Sequence, residues 1–580
     1  MPSFLKSFLA SFLALVVFSM LAFFLLIGLI PSKSRPVVEQ GSVLVVDLGQ
    51  HFHEQTQPNP LAVFASGEED VPGLYDVVRL IQRATTDKRI AGIYLISNNN
   101  PNGFAASSEL REALQAFKAG GKFIIAHGDV ISQRAYAVAS CADRLYLSPQ
   151  GYLEWMGFSV EYMFFKGTLD KLEIQPQIFY AGKFKSATEP FRTDKMTPEN
   201  ALQTSVWLGD LYDRFLQQVG ESRDLDTATL HRLANEAAIR TANDAVQYKL
   251  VDSLKYDDQV KDEFKQRLHL GKFDRINFVS LGTYRSAGGL PATNGSKIAL
   301  IYAEGDIVDG KGQKDQIGSE TFRNLIRKAR LDQTVQAIVF RVNSGGGSSL
   351  ASENIWRELE LAKKEKPVVV SFGDVAASGG YYISCAADSI FASPSTITGS
   401  IGVFGIIPNM QGFFKDKLGI TFDGVKTAEH AGSGSIARPM TETEKQMVQA
   451  EIEMIYAQFK LRVAEGRKKD TAYIDSIAQG RVWTGQRAIG LGLVDRFGSL
   501  DEAVRCAARM AKLTSYHVSE YPEPVSWIDQ LLGKKDPLNY FDQLKKEMSE
   551  DEFRIYTEWK RVRDLTSRPQ ARLPFQFFVR

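Results

Sequence analysis

Three turns in the second half of the chain carry the residue types that acyl transfer uses. The first, Asn343-Ser344-Gly345-Gly346-Gly347, follows the apolar run Ala337-Ile338-Val339-Phe340. The second, Ala377-Ser378-Gly379-Gly380-Tyr381-Tyr382, follows Gly373-Asp374-Val375, and the third is Thr398-Gly399-Ser400-Ile401-Gly402. Each is a short apolar strand feeding Gly and Ser, and Gly lets a backbone take positive φ and approach another molecule closely. Converging on one site, such turns supply a hydroxyl nucleophile with N–H donors beside it. Ser400 is the candidate nucleophile, although most Thr-Gly-Ser sequences are simply turns.

A serine hydroxyl is inert until a neighbouring base takes its proton. Of seven histidines, only His430 lies in the second half before the tail. The other source is Tyr180-Ala181-Gly182-Lys183-Phe184-Lys185-Ser186-Ala187-Thr188-Glu189-Pro190-Phe191, where lysines sit among small and aromatic residues. A lysine serves as base if burial lowers its pKa from about 10.4 towards about 7–8. In an extended segment Lys183 and Lys185 share one face, so spacing leaves both open, with His430 beside them.

The elements that must position these residues form a repeat. Short β-branched runs (Val43–Val46, Ile90–Ile96, Lys122–Ala126) alternate with amphipathic segments such as Ser107–Lys118, which predicts an α/β fold with helices on mostly parallel sheets. Ile93–Asn98 reads against Ile338–Asn343, Gly128-Asp129-Val130 against Gly373-Asp374-Val375, and Ser148-Pro149 against Ser393-Pro394, all at an offset of 245. Lys195-Met196-Thr197 and Pro439-Met440-Thr441 continue at 244, and Leu250-Val251-Asp252 and Leu493-Val494-Asp495 at 243. These matches predict a tandem duplication of one α/β unit. The halves differ where chemistry is expected: Asn99-Asn100-Pro101-Asn102 faces the first glycine turn, Trp155 faces Ser400, and Lys185 falls on His430. A composite site shared by the halves, or one decayed site, would produce that asymmetry. Asp129 and Asp374 occupy equivalent positions, which favours a structural role, and Tyr381 and Tyr382 read as core.

The chain of 580 residues is 44% apolar and 24% charged with net charge +1, a globular profile with no bulk charge for nucleic acid. Cys141, Cys385 and Cys506 are far apart and read as buried small residues rather than a disulfide framework or metal ligands. Ser7–Ile30 is uncharged and nearly all apolar, long enough to span a bilayer, so it predicts a retained anchor, with a long, cleaved signal as the lesser alternative. Flanking charge hardly orients it. The expected organisation is an anchor over 1–36 (membrane span about 7–30), a repeat over 43–285, a linker over 286–297, a repeat over 298–512 and a small helical extension over 513–580. Docking of Phe575–Val579 is expected at the end.

Taken together, Phe184-Lys185-Ser186-Ala187 with Glu189-Pro190-Phe191, Ala377–Tyr382 and Thr398–Gly402 resemble the long form of the protease IV, or signal peptide peptidase A, family. The resemblance covers nearly the whole chain. It implies two crotonase-like (Clp-protease-like) repeats and a serine endopeptidase with Ser400 as nucleophile, Lys185 as general base, and the N–H groups of Ile401 and Gly346 as oxyanion hole. Gly345, Gly347, Ser378, Gly379 and Gly380 would line the substrate, with no metal or cofactor. The family usually has Pro where this chain has Gly345. The resemblance further implies signal peptides and other apolar peptides as substrates, a homotetramer, and a single-pass bacterial inner-membrane protein facing the periplasm. From other classes, an inactive membrane scaffold of the same fold and an acyl-thioester enzyme are the competing readings.

Overall fold

The computed structural model describes residues 7–8, 11–19, 36–56, 71–290, 295–313, 315–523 and 569–573. In the first half, β1 (Ser42–Asp47), β2 (Ile90–Ile96), β3 (Phe123–Ile131) and β4 (Arg144–Leu153) form a parallel sheet. The strand β5 (Gln175–Ala181) leaves that sheet, which is completed by β6 (Ser253–Leu254) and β7 (Phe278–Ser280) in the order β6-β4-β3-β2-β1-β7. Runs such as Ile93-Tyr94-Leu95 are apolar on both faces because helices cover both sides, Leu74–Thr86 and Phe104–Ala119 on one and Asp257–Arg267 on the other.

The second half repeats the plan. Its strands are β8 (Ser296–Glu304), β9 (Asp306–Val308), β10 (Gln316–Gly318), β11 (Val335–Ser344), β12 (Gly346–Ser348), β13 (Val368–Ala377), β14 (Ser389–Ala392), β15 (Ile397–Gly399), β16 (Val403–Asn409), β17 (Val482–Thr484), β18 (Arg496–Phe497) and β19 (Tyr516–Tyr521). Its main sheet runs β17-β15-β13-β11-β8-β19, with β14 and β18 branching from β13. Counterparts therefore stand in the same order, β11 answering β2, β8 answering β1 and β19 answering β7. Helices Pro198–Arg223 and Glu442–Arg467 match as well: each has 26 residues, a Thr N-cap (Thr197, Thr441) and a left-handed C-cap.

A third sheet joins the halves. It runs β10-β9-β12-β20-β16-β5, with β20 (Gln570–Arg572) from the far end of the chain and β5 from the first half. Buried charge fastens the same junction. Arg341 on β11 donates to Glu54 (2.8 Å) and Glu109 (2.7 Å) of the first half, and to Ser371 Oγ and Phe372 O. Asp374 accepts from the N–H groups of Ala105 and Ala106, capping helix Phe104–Ala119 across the interface. Equivalent position in the repeat does not mean equivalent work, since Asp129 has no such role: its N–H donates to Asn98.

Two expectations change. The second repeat does not end at 512, because β19 completes its sheet against β8. The described parts of the extension, β19 and β20, are strands rather than helices; Tyr516–Tyr521 pairs parallel with Ser296–Ile301 of β8. Most of the expected anchor, the extension's other aromatics and Phe575–Val579 lie outside the described residues. Among the described residues no helix is long and apolar enough to cross a membrane. All three cysteines are buried and free.

Candidate active site

Ser400 sits one residue beyond β15 with φ +50°, after Gly399 at φ +75°. The left-handed pair reverses the chain sharply, a conformation costly for serine that its surroundings must enforce. They do: the Ser400 N–H donates to Arg481 O at 2.7 Å, and Gly480 N–H donates to Ile401 O at 2.8 Å. A Cβ on Gly399 would stand 2.7 Å from Trp483 Cδ1, so the turn is pressed onto β17 and only Gly fits.

Lys185 reaches this turn from the first half. Its segment follows β5, which pairs antiparallel with β16 directly after the Ser400 turn, Ala181 opposite Val403. Phe184 N–H donates to Gln479 O, and Lys185 N–H donates to Gly182 O, closing a tight turn. That turn separates the two lysines. Lys183 is exposed and lies over the Phe184 ring, whereas Lys185 is 1% exposed, so they do not share a face. Glu189, buried in the same motif, accepts from Thr197 and Asn200 and ties the segment to the start of the long helix.

The amine of Lys185 lies 3.0 Å from Ser400 Oγ, 2.9 Å from Ser378 Oγ and 3.1 Å from Ser400 O. It has no carboxylate partner among the described residues. Burial alone pushes its pKa well below the ordinary lysine value, since nothing compensates the lost hydration of an ammonium. That shift favours the neutral amine against a serine hydroxyl, the pairing that general-base activation requires. His430 makes no contact at this site; it lies on an exposed turn, with its Nδ1 buried and unpartnered among the described residues. Trp155 is buried in the first half's core, donating to Leu230 O and packing on Tyr136 and Phe215.

The glycine turns converge but do different work from that expected. Ser378, at φ +54°, turns its hydroxyl onto Lys185 rather than towards the groove. Gly379 and Gly380 are buried at the start of helix Gly379–Ser384; a Cβ on Gly380 would stand 2.5 Å from Ser344 O. Tyr381 and Tyr382 are core, their hydroxyls donating to Leu493 O and Glu353. The Ile401 N–H has no acceptor among the described residues. The Gly346 N–H does not point free: it donates to Ser344 Oγ at 3.1 Å. Strand β20 covers the loop, Gly346 facing Arg572 and Gly347 facing Ala571. Gly345 O accepts from the Leu573 N–H, and a Cβ at Gly345 would make only ordinary contact with Leu573. No substrate surface is therefore open at Gly345–Gly347 while β20 is in place. Leu573 packs with Ala377, Ile397, Val482, Trp207 and Leu211, next to both serine turns.

Sequence reasoning missed three participants. Gln203 donates to Phe184 O and Ser186 Oγ and accepts from Val482 N–H, stitching the lysine segment to β17. Gly480-Arg481 holds Ser400, and β20 fills the groove. Gln203 is one of several polar residues at the start of its helix, with nothing in the string to single it out, and β20 is three residues long.

Residues 116–271 and 360–514 each match peptidase family S49. "Protease 4" of Salmonella typhi is 39% identical over 79% of this chain and 75% of its own length. "Protease 4" of Haemophilus influenzae is 36% identical over 75% and 72%. "Serine protease SPPA, chloroplastic" of Arabidopsis thaliana is 30% identical over 82% and 70%. A solved ClpP1 from Listeria monocytogenes aligns at 15% identity and a TM-score of 0.24, over 35% of this chain and 94% of its own, which is too slight to bear on the fold. Two copies of the family's domain, with relatives of this identity along most of their length, show that the chain belongs to peptidase family S49 in its duplicated long form and is a serine peptidase.

Proposed function

We propose that this peptidase works through a Ser400–Lys185 dyad assembled across the two halves, cleaving apolar peptides by way of an acyl-enzyme. The observation that carries the reading is the buried Lys185 amine, without a carboxylate, 3.0 Å from Ser400 Oγ. The neutral amine takes the hydroxyl proton as Oγ attacks the scissile carbonyl. The Ile401 N–H, and Gly346 N–H once turned away from Ser344, receive the developing oxyanion. The lysine then returns its proton to the leaving amine, and water releases the acyl group. A substrate would lie extended between β12 and β16 in the slot β20 fills, pairing with both edges. The apolar side chains around Leu573 favour an apolar residue there, which suits signal peptides left in a bilayer. In the same reading the units are crotonase-like, Ser7–Ile30 anchors the chain singly in a bacterial inner membrane with the enzyme facing the periplasm, and four copies assemble.

The test is labelling by a fluorophosphonate probe of wild type, Ser400→Ala and Lys185→Ala. Labelling of wild type alone is expected. Labelling retained in Lys185→Ala but lost in His430→Ala would overturn the base. Folded wild type that neither labels nor cleaves apolar peptides would leave a non-catalytic scaffold.

A further inference from the structure

The two halves carry matching helix positions whose charges do not match. Ser108, Arg111 and Ala137 correspond to Glu353, Trp356 and Tyr382 at the offset of 245, and Arg214 and Gln218 to Gln458 and Arg462 at 244. The hydroxyls of Tyr136 and Tyr381, one position earlier than Ala137 and Tyr382, donate to the equivalent carbonyls of Leu250 and Leu493, so the correspondence holds in space. In the second half the cation has its counter-ion. Arg462 lies over the Trp356 ring and donates to Glu353 at 2.8 Å, and Glu353 also accepts from the Tyr382 hydroxyl at 2.6 Å.

The first half has cations and no acid at these positions. Ser108 and Ala137 replace Glu353 and Tyr382, while Arg111 and Arg214 replace Trp356 and Gln458. Arg111 is 2% exposed. Its terminal nitrogens donate to Ala137 O, Ser140 Oγ, Gln218 O and Ser222 Oγ, all uncharged, and its Nε–H has no acceptor among the described residues. The Arg214 Nε is buried and likewise unpartnered there. Neither guanidinium contacts a carboxylate among the described residues; Glu221 and Glu112 act on them only from further away. Burial pushes the Arg111 pKa below its ordinary value, yet an arginine stays charged in a protein, and a buried charge without a counter-ion is costly.

Both arginines line one cavity together with Ser107, Ser108, Ala137 and Ser395, the last contributed by the second half. The cavity has room for a water-sized particle, too little for a phosphate or a peptide carboxylate. We propose that Arg111 and Arg214 hold a chloride ion here, in place of the carboxylate that Glu353 supplies in the other half. Chloride is little larger than water and accepts N–H and O–H donors from any side. Water would satisfy the donors but leave both charges uncompensated. Because Ser395 closes the cavity from the second half, the ion adds a clamp to the junction that Arg341 fastens with Glu54 and Glu109. The argument rests on the duplication and on buried charge, not on the peptidase chemistry.

The test uses the full chain in detergent and compares sodium chloride with sodium gluconate at equal ionic strength. Chloride should raise Tm by about 1–3 °C and the rise should saturate. Ser108→Glu, which sets the second half's carboxylate beside Arg111, should abolish the chloride-specific rise. Arg214→Gln, the residue of the second half, should need about ten-fold more chloride for the same effect. Broadening of the chloride NMR signal by the protein should be greatest for wild type and least for Ser108→Glu. Wild type that melts alike in both salts, or a chloride response that survives unchanged in Ser108→Glu, would overturn the site and leave the cavity to water. If Ser108→Glu does not fold, an unchanged chloride midpoint in Arg214→Gln overturns it equally.

Discussion

At the residue scale the site turns on a lysine deprived of water. Replacing Lys185 by Met should lower kcat by about 10²–10⁴-fold, read with a chromogenic apolar peptide. The same change should stabilise the fold at neutral pH. Burial lowers the native pKa of the amine, whereas an unfolded lysine takes up a proton below about 10.4, so the unfolded chain binds more protons just below that value and stability falls as pH drops through that window. Lys185→Met abolishes that slope, which thermal melts at pH 7 and pH 10 would reveal. In the wild type kcat/KM should rise with pH along one ionisation to a plateau, its midpoint well below the ordinary lysine value. Ser378→Ala removes one of the groups aiming the amine; with a hydrogen bond worth about 1 kcal/mol, kcat should fall about five-fold at unchanged KM.

At the element scale the instructive piece is β20. It pairs with β12 and β16 and lays Leu573 among apolar side chains beside the serine turns, so it holds the strip an extended substrate needs. Deleting residues 569–580 should lower KM for short apolar peptides roughly ten-fold, since a tethered competitor at high effective concentration is gone. A loss of activity instead would mean that β20 completes the groove. The lysine segment makes the complementary point. Its Gly182 turn, Gln203 and the Glu189 contacts fix the backbone so that only one of two lysines turns inward. Element boundaries alone could not choose between them.

At the scale of the whole molecule, the proposed dyad requires the two halves to stay packed. Arg341→Met would leave Glu54 and Glu109 as buried charges without their partner, at about 3–5 kcal/mol, and should cut probe labelling along with urea resistance; adding Glu54→Gln and Glu109→Gln should restore most of both. Burial, outweighing Arg341, raises the Glu54 pKa from 4.5 to about 7. The folded state therefore binds the extra proton within that window, and stability falls as pH rises from 4.5 to 7. Glu54→Gln should flatten the dependence of Tm on pH there.

The sequence by itself determined the duplication and the α/β alternation, and it marked Ser400 as the candidate nucleophile with Lys183, Lys185 and His430 as the candidate bases, because apolar period, Gly turns and residue types are local properties that survive in a string. It also marked Trp155 as the residue that closes the second site. It did not choose between Lys183 and Lys185 from spacing, since that depends on a turn closed by Gly182 and held by Gln479, residues brought together by packing. It gave no sign that Gly346 would be turned onto Ser344, nor that a three-residue strand from the chain's far end would cover the glycine loop. Those outcomes belong to the tertiary structure, because they follow from which backbone edges and buried groups meet, and no residue carries that information alone.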